Sequence, residues 1–441
     1  MINDAAGSRQ DDSDPERSAT VGPSKPRLLK ILGPGLITGA SDDDPSGIAT
    51  YSQAGAIFGF GLLWTMVITY PLMVAVQEIS ARIGRTTGRG LAGNIIRHYP
   101  DGIVYGLVGL LFCANVINIA ANLGAMGDAV AMLAGGPHLV YVVIFGVLCT
   151  LMQVFMQYTR YVAVLKWLTI VLFSYVATLF VVHVPWAGVV KGLLLPKFSG
   201  DPQYWETVVA ILGTTISPYL FFWQASQEVE DIHEIPRREP LLDKPRQAAS
   251  AEERIRLDTL VGMAFSNVVA ISIIITVGAT LHPAGITNIE SSVQAAEALK
   301  PIGGSLAFAL FALGIIGTGL LSIPVLAGSA AYALGEALKW KVGLKLQPME
   351  GRTFYGTIAL ATLIGVALNF TGINPIKALY YSAVINGLVA VPIIACMMLL
   401  SSDKKVMGRF TVEGALFYLG WATAGVMALA CIGMVVTMLW G

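Results

Sequence analysis

Apolar stretches of about twenty residues recur along almost the whole of this 441-residue chain, and that recurrence leaves few folds open. A bilayer's hydrocarbon core is about 30 Å thick, and a helix needs roughly 20 mostly apolar residues to cross it. Within lipid, only helices and closed barrels satisfy all their backbone hydrogen bonds internally. The stretches predict spanning helices 1 to 11 near 33–59, 62–83, 103–133, 138–159, 163–184, 205–228, 256–281, 304–335, 353–370, 376–400 and 412–440. Composition agrees: only 13% of the residues are charged, against about 25% in ordinary soluble domains. The expected class is therefore an all-α integral membrane protein with about 11 transmembrane helices.

Charge position orients these helices. The 28 basic and 28 acidic residues cancel, so no global field draws in nucleic acid. All but four of the basic residues fall in the N-terminal segment or in alternate loops: Arg82 to Arg97, Arg160 and Lys166, Arg237 to Arg256, Lys339 to Arg352, and Lys404 to Arg409. Lys191, Lys197, Lys300 and Lys377 are left for the other side. Positive charge collects on the cytoplasmic side, which predicts a cytoplasmic N-terminus and, with an odd helix count, an extracytoplasmic C-terminus. Residues 1–28 are polar, lack the apolar centre of a signal peptide, and read as a disordered cytoplasmic tail. Short loops suit a bacterial inner membrane. The segment from Gln227 to Arg256 reads as a solvated loop.

Two of the predicted helices are interrupted. Helix 1 carries Asp42-Asp43-Asp44-Pro45-Ser46-Gly47 inside an apolar run, and helix 6 carries Gly213-Thr214-Thr215-Ile216-Ser217-Pro218-Tyr219. Proline removes a backbone donor, and carboxylates at membrane depth are costly unless they serve a purpose. Breaks five helices apart point to two inverted five-helix repeats whose broken helices meet at the bilayer midplane. The division predicted is 29–184 for the first repeat, 185–204 for an extracellular loop, 205–400 for the second repeat and 401–441 for an extra C-terminal helix. Carbonyl oxygens freed at the breaks, with an aspartate beside them, make an oxygen-rich cation cage.

Other chemistry is sparse. Cys113, Cys149, Cys396 and Cys431 lie in apolar stretches with no CxxC spacing, and there is no HExxH and no GxxxxGK[ST] loop. No nucleophile and base constellation suggests an enzyme, and no cofactor is implied. Glu78 stands four residues before Arg82, the spacing of a helical ion pair. Asn267 and Asn386 are isolated in apolar runs and suit interhelical hydrogen bonds. Asp42 and Asp43 suit either cation attraction at an entrance or capping of the broken helix.

The residues around the first break resemble a known family. Gly33-Pro34-Gly35, Asp44-Pro45-Ser46-Gly47-Ile48-Ala49-Thr50 and Gln53-Ala54-Gly55 are similar, in order and spacing, to the first helix of the Nramp (natural resistance-associated macrophage protein) divalent-metal transporters. That family's signature there reads Asp-Pro-Gly-Asn. Glu78 to Gly84, Thr87-Gly88 and Leu91-Ala92 resemble the family's second helix and the loop after it, and the helix 6 break resembles its Met-Pro-His break. The resemblance implies a LeuT-like fold with a divalent cation, carried as substrate, bound between helices 1 and 6. It assigns Asp44 as the metal-binding aspartate, Gly47 to the asparagine position, Thr214 to the carbonyl ligand, Ser217 to the methionine position and Tyr219 to the histidine position. Asp43, Pro45, Thr215 and Pro218 would line the site.

Three departures from the family pattern shape the expectation. Ser217 replaces a soft thioether with a hard oxygen. Gly47 removes a side-chain ligand and leaves room for water, which Mg²⁺ gives up reluctantly. Helix 3 offers Asn115, Asn118 and Asn122, and helix 6 offers Tyr219, where proton-coupled members use acids and a histidine. None of these titrates near neutral pH. The expectation is inward transport of Mg²⁺ or Mn²⁺ by alternating access with weak or no proton coupling, as in the Nramp-related magnesium transporters. The alternatives are a proton-coupled Mn²⁺/Fe²⁺ transporter and a LeuT-fold symporter of an organic solute.

Overall fold

The structure, a computed structural model, describes residues 39, 41–155, 170–235 and 237–440. The predicted tail 1–28, the Gly33-Pro34-Gly35 motif, Arg160 and Lys166 lie outside the described residues. Among those described there is no strand. The principal helices are α1 (Pro45–Phe58), α2 (Leu63–Thr87), α3 (Asp101–Ala134), α4 (His138–Phe155), α5 (Phe173–Thr178), α6a (Pro202–Thr215), α6b (Pro218–Glu234), α7 (Ala248–Thr280), α8 (Ala307–Ala337), α9 (Arg352–Leu368), α10 (Pro375–Ser402) and α11 (Gly414–Trp440). Nine of the described helical segments, counting α6a and α6b as one, are long and apolar enough to cross a membrane. Of the predicted helix 5, only the part from residue 170 onward is described. The stretch 185–204, expected to be a loop, contains a helix at Trp186–Leu194.

Burial sorts these helices into a centre and a rim. The most apolar window of the broken helix 6 is 100% buried, whereas that of α4 is 17% buried. On the rim, Val140, Val143, Ile144, Val147 and Leu151 of α4 and Leu429, Ile432, Val435 and Val436 of α11 face outward. A contiguous apolar exterior of this kind is lipid-facing surface. In the centre, α3 packs against α8, α9 and α10, α6a against α10, α6b against α2, and α1 against α7 and α10. Close approach relies on small residues: a methyl at Gly213 of α6a would collide with the Ala383 carbonyl and with Gly387 of α10.

The basic loops do gather at one end. Arg82 bridges Glu78 at 2.8 Å, as the spacing predicts, and also Glu252 at 3.1 Å. The Leu241 and Leu242 amides donate to the Arg85 and Thr86 carbonyls, each at 3.2 Å. Glu336, at the end of α8, accepts from the Gly90 and Gly93 amides at 3.0 and 2.8 Å. Residues 285–300 and Lys377 sit at the opposite end, where Lys377 lies 3.7 Å from Glu290.

The segment Gln227 to Arg256 is not a solvated loop. Helix α6b continues to Glu234 and α7 begins at Ala248. Glu228 pairs with Arg254, and Asp231 pairs with Arg238 at 2.9 Å, all four side chains being almost fully buried. Charge spacing misled because a charged run says nothing of what it faces, and opposite charges in contact can be taken out of water together. Breaking such a pair strands a charge. Arg254→Ala is therefore expected to lower stability by about 3–5 kcal/mol, read as a drop in the unfolding midpoint in detergent, and the double change Glu228→Leu/Arg254→Leu is expected to cost less than Arg254→Ala alone.

Candidate metal centre

Both breaks have the same cause. Pro45 and Pro218 each open a helix, where the missing N–H is harmless to the helix that follows. Each also deprives the carbonyl four residues earlier of its donor: Ser41 in the first case and Thr214 in the second. Side chains at the breaks supply the missing partners. The Tyr219 hydroxyl donates to the Ser41 carbonyl at 3.2 Å. The Ser217 hydroxyl donates toward the Thr214 carbonyl at 2.9 Å and the Gly213 carbonyl at 2.8 Å.

Asp44 does the reverse, as an acceptor. It is the N-cap of α1, and its Oδ1 accepts from the Gly47 amide at 2.9 Å and the Ser46 hydroxyl at 2.6 Å. Its Oδ2 accepts from Asn122 Nδ2 of α3 at 3.2 Å. The Ser46 backbone amide is a further donor to the same carboxylate, so hydrogen bonds surround both of its oxygens. The side chain is 1% exposed, and the start of α1 favours its negative charge.

The two breaks touch. A Cβ built on Gly47 would stand 3.2 Å from Thr214 Oγ1, 3.3 Å from Tyr51 Cε2 and 3.4 Å from the Asp42 carbonyl, so glycine lets α1 lie against the end of α6a. That end carries the negative pole of a helix dipole and the Thr214 carbonyl, which keeps a second lone pair. Asp44, Pro45 and Gly47 thus lie at one break and Thr214, Ser217, Pro218 and Tyr219 at the other, with contacts between the two at Gly47 and Thr214 and at Tyr219 and Ser41. Thr215 is buried, but its hydroxyl is spent on the Ile211 carbonyl of its own helix at 2.8 Å.

The three consecutive acids are divided. Asp42 and Asp43 are buried and share one hydroxyl of α7, Ser266, at 2.6 and 3.1 Å. They are neither at an exposed entrance nor capping the break, since Asp44 is the cap. Among the described residues no three His, Cys, Asp or Glu side chains form a metal-holding group. A carboxylate among hydroxyl, carbonyl and amide oxygens is a donor set of hard ligands.

The helix 3 amides differ in role. Asn115 donates to the Leu326 carbonyl and Ser329 of α8. Asn118 donates to Asn386 of α10 at 2.8 Å, so Asn386 is an interhelical partner as its isolation suggests. Of the three, Asn122 alone reaches Asp44. Ser46, Ser266 and Ser322 were missed by sequence reasoning: Ser46 lay within the quoted motif, but single serines in apolar helices such as α7 and α8 carry no signal of what they face. A cavity of about 220 Å³ lies at the end opposite the basic loops, bordered by Ala49, Gln53, Glu206, Asn288, Lys377 and Tyr380. Gln53 is fastened there by the Ile289 amide at 2.9 Å and by Asn288 at 3.2 Å.

Comparison with known proteins agrees with this architecture. The family model described as natural resistance-associated macrophage protein-like matches residues 35–437. The chain is 25% identical over 406 residues to a divalent metal cation transporter MntH of Klebsiella pneumoniae, covering 90% of this chain and 92% of the relative. It is 26% identical over 419 residues to the MntH of Xanthomonas campestris, covering 94% and 91%. The crystal structure of the Eremococcus coleocola manganese transporter in complex with an aromatic bis-isothiourea substituted compound superposes with a TM-score of 0.75 at 19% identity, covering 96% and 90%. The nucleobase-cation-symport-1 family transporter Mhp1 gives 0.54 at 12% identity, covering 92% of each chain. The fold is LeuT-like, with helices 1 and 6 broken, and the chain belongs to the natural resistance-associated macrophage protein (Nramp) family.

Proposed function

We propose that this protein is a secondary transporter, not an enzyme, that carries divalent metal cations inward by alternating access, with Mg²⁺ or Mn²⁺ as substrate and weak or no proton coupling. One observation carries the reading: the break that holds the buried Asp44 carboxylate meets the carbonyl end of α6a where Gly47 lies against Thr214. The names of the relatives, divalent metal cation transporters and a manganese transporter, support the substrate class. The metal is cargo, and the scheme needs no resident cofactor.

The preference for a hard ion rests on two residues. Ser217 contributes hydroxyl oxygen where a thioether would favour soft metals. Gly47 brings no ligand of its own, which leaves a place for retained water on Mg²⁺. Asp44 and the Thr214 carbonyl are the metal ligands proposed, with Ser217 beside them and Asp43, Pro45, Thr215, Pro218 and Tyr219 around them.

The basic end is assigned to the cytoplasm, with the N-terminus there, the C-terminus outside, and the protein in the cell's inner membrane. Residues 29–184 and 205–400 are the repeats that rock against each other. The cavity beside Gln53 is then the outer entrance, closed in this conformation where Gln53 donates to Asn288 and accepts from the Ile289 amide. Inward flux follows the gradient and the membrane potential, about 2.3 kcal/mol per charge for each 100 mV.

Proteoliposomes containing a Mg²⁺-sensitive dye are expected to report Mg²⁺ entry by the intact protein and none by Asp44→Ala. Mn²⁺ entry without Mg²⁺ entry would keep the transporter and discard the hard-ion preference. With a pH dye inside the vesicles, metal entry is expected to proceed without acidification. Acidification that requires the metal and survives uncoupler controls would favour the second reading, a proton-coupled Mn²⁺/Fe²⁺ transporter.

A further inference from the structure

We infer that Asn122 of α3 is both a positioning residue for Asp44 and a ligand of the transported cation. The inference rests on the cation site proposed above and adds a residue to it from a helix outside the two breaks.

The Asn122 amide nitrogen has two hydrogens and two acceptors, Asp44 Oδ2 at 3.2 Å and Ser322 Oγ of α8 at 3.1 Å. Ser322 in turn donates to the Gly319 carbonyl of its own helix at 3.3 Å. A carboxylate and a hydroxyl already committed as donor can only accept from Asn122, which fixes nitrogen, not oxygen, on that arm of the carboxamide. The other arm, Asn122 Oδ1, is therefore turned away from Asp44's hydrogen bond while remaining on the same planar group. It is fully buried and has no hydrogen-bond partner.

A buried carbonyl without a partner costs free energy and calls for an explanation. Asn122 is joined to Asp44 by its nitrogen arm, and a hard cation bound at that carboxylate supplies the partner of the oxygen arm. Asp44 and Asn122 Oδ1 then bind the ion directly, from α1 and α3.

The neighbouring amides on the same helix face do not share this role. Asn118 and Asn115 also carry unpartnered Oδ1 atoms, but their nitrogens bind α10 and α8, not an acid. Asn115 is seven residues from Asn122, about 10 Å along the helix. These two fasten helices, and only Asn122 is joined to Asp44.

The test exchanges oxygen for sulfur at this position. In proteoliposomes, Asn122→Ala is expected to raise the KM for Mg²⁺ about tenfold, the worth of one charge-assisted hydrogen bond, with Vmax within about twofold of the intact protein. Asn122→Cys is expected to bind Cd²⁺ at least about tenfold more tightly than the intact protein by calorimetry, because thiolate selects soft metals only where it touches them. Asn118→Cys is expected to show no such gain. Should Asn122→Cys not purify as a folded protein, Asn122→Ser carries the test, with a KM between those of the intact protein and Asn122→Ala.

Unchanged Cd²⁺ affinity in folded Asn122→Cys, or an unchanged KM in Asn122→Ala or Asn122→Ser, overturns the inference. If Asp44→Ala still admits Mg²⁺, the proposed site itself fails. If Asp44→Ala is inactive while every Asn122 variant matches the intact protein, only the role of Asn122 fails.

Discussion

Backbone polar groups at membrane depth have no water to fall back on, and the centre of this molecule is organised around that constraint. Two prolines free two carbonyls, at Ser41 and Thr214, and the chain answers with hydroxyls from Tyr219 and Ser217. The same interruption exposes the amides at the start of α1, and Asp44 takes up the one at Gly47. One break thus presents an anion on a helix N-terminus and the other presents carbonyls at a helix C-terminus. Joined at Gly47, they form a small region of negative potential enclosed by apolar helices. A cation has reason to enter such a region, and an anionic solute does not.

The rest of the bundle holds the two breaks together. On the basic side, α6b is fastened to its surroundings by buried charges, with Glu228 on Arg254 and Asp231 on Arg238. On the other side the fastening includes amides, with Gln53 on Asn288 and Ile289, beside Ser292 on Asp128 and Lys377 near Glu290. Neutral hydrogen bonds are individually weaker than charge-assisted ones. Gln53, Asn288 and Ile289 also border the cavity at that end.

Much of this was legible in the sequence because its causes are local. Apolar length gave the spans, proline beside polar residues gave the breaks, and the i,i+4 spacing gave the pair of Glu78 and Arg82. The pairing of distant breaks followed from their matching places in the helix order. What escaped notice depended on partners remote in sequence. Nothing near Ser266 says that Asp42 and Asp43 lie against it, and nothing near Ser322 says that it braces Asn122. The three successive acids looked like one cluster, but backbone direction at the break sends Asp44 toward α3 and the other two toward α7. The charged run from Gln227 to Arg256 looked solvated because spacing along one helix does not reveal a partner on another.

The central claim is that one carboxylate oxygen, Asp44 Oδ2, holds the transported ion against the carbonyl end of α6a. Anomalous scattering from Mn²⁺ in crystals of the intact protein tests it most directly. The account predicts a single strong peak between Asp44 Oδ2 and the Thr214 carbonyl, absent in crystals of Asp44→Ala. A peak lodged instead between Asp42, Asp43 and Ser266, or one that persists without the Asp44 carboxylate, would contradict it.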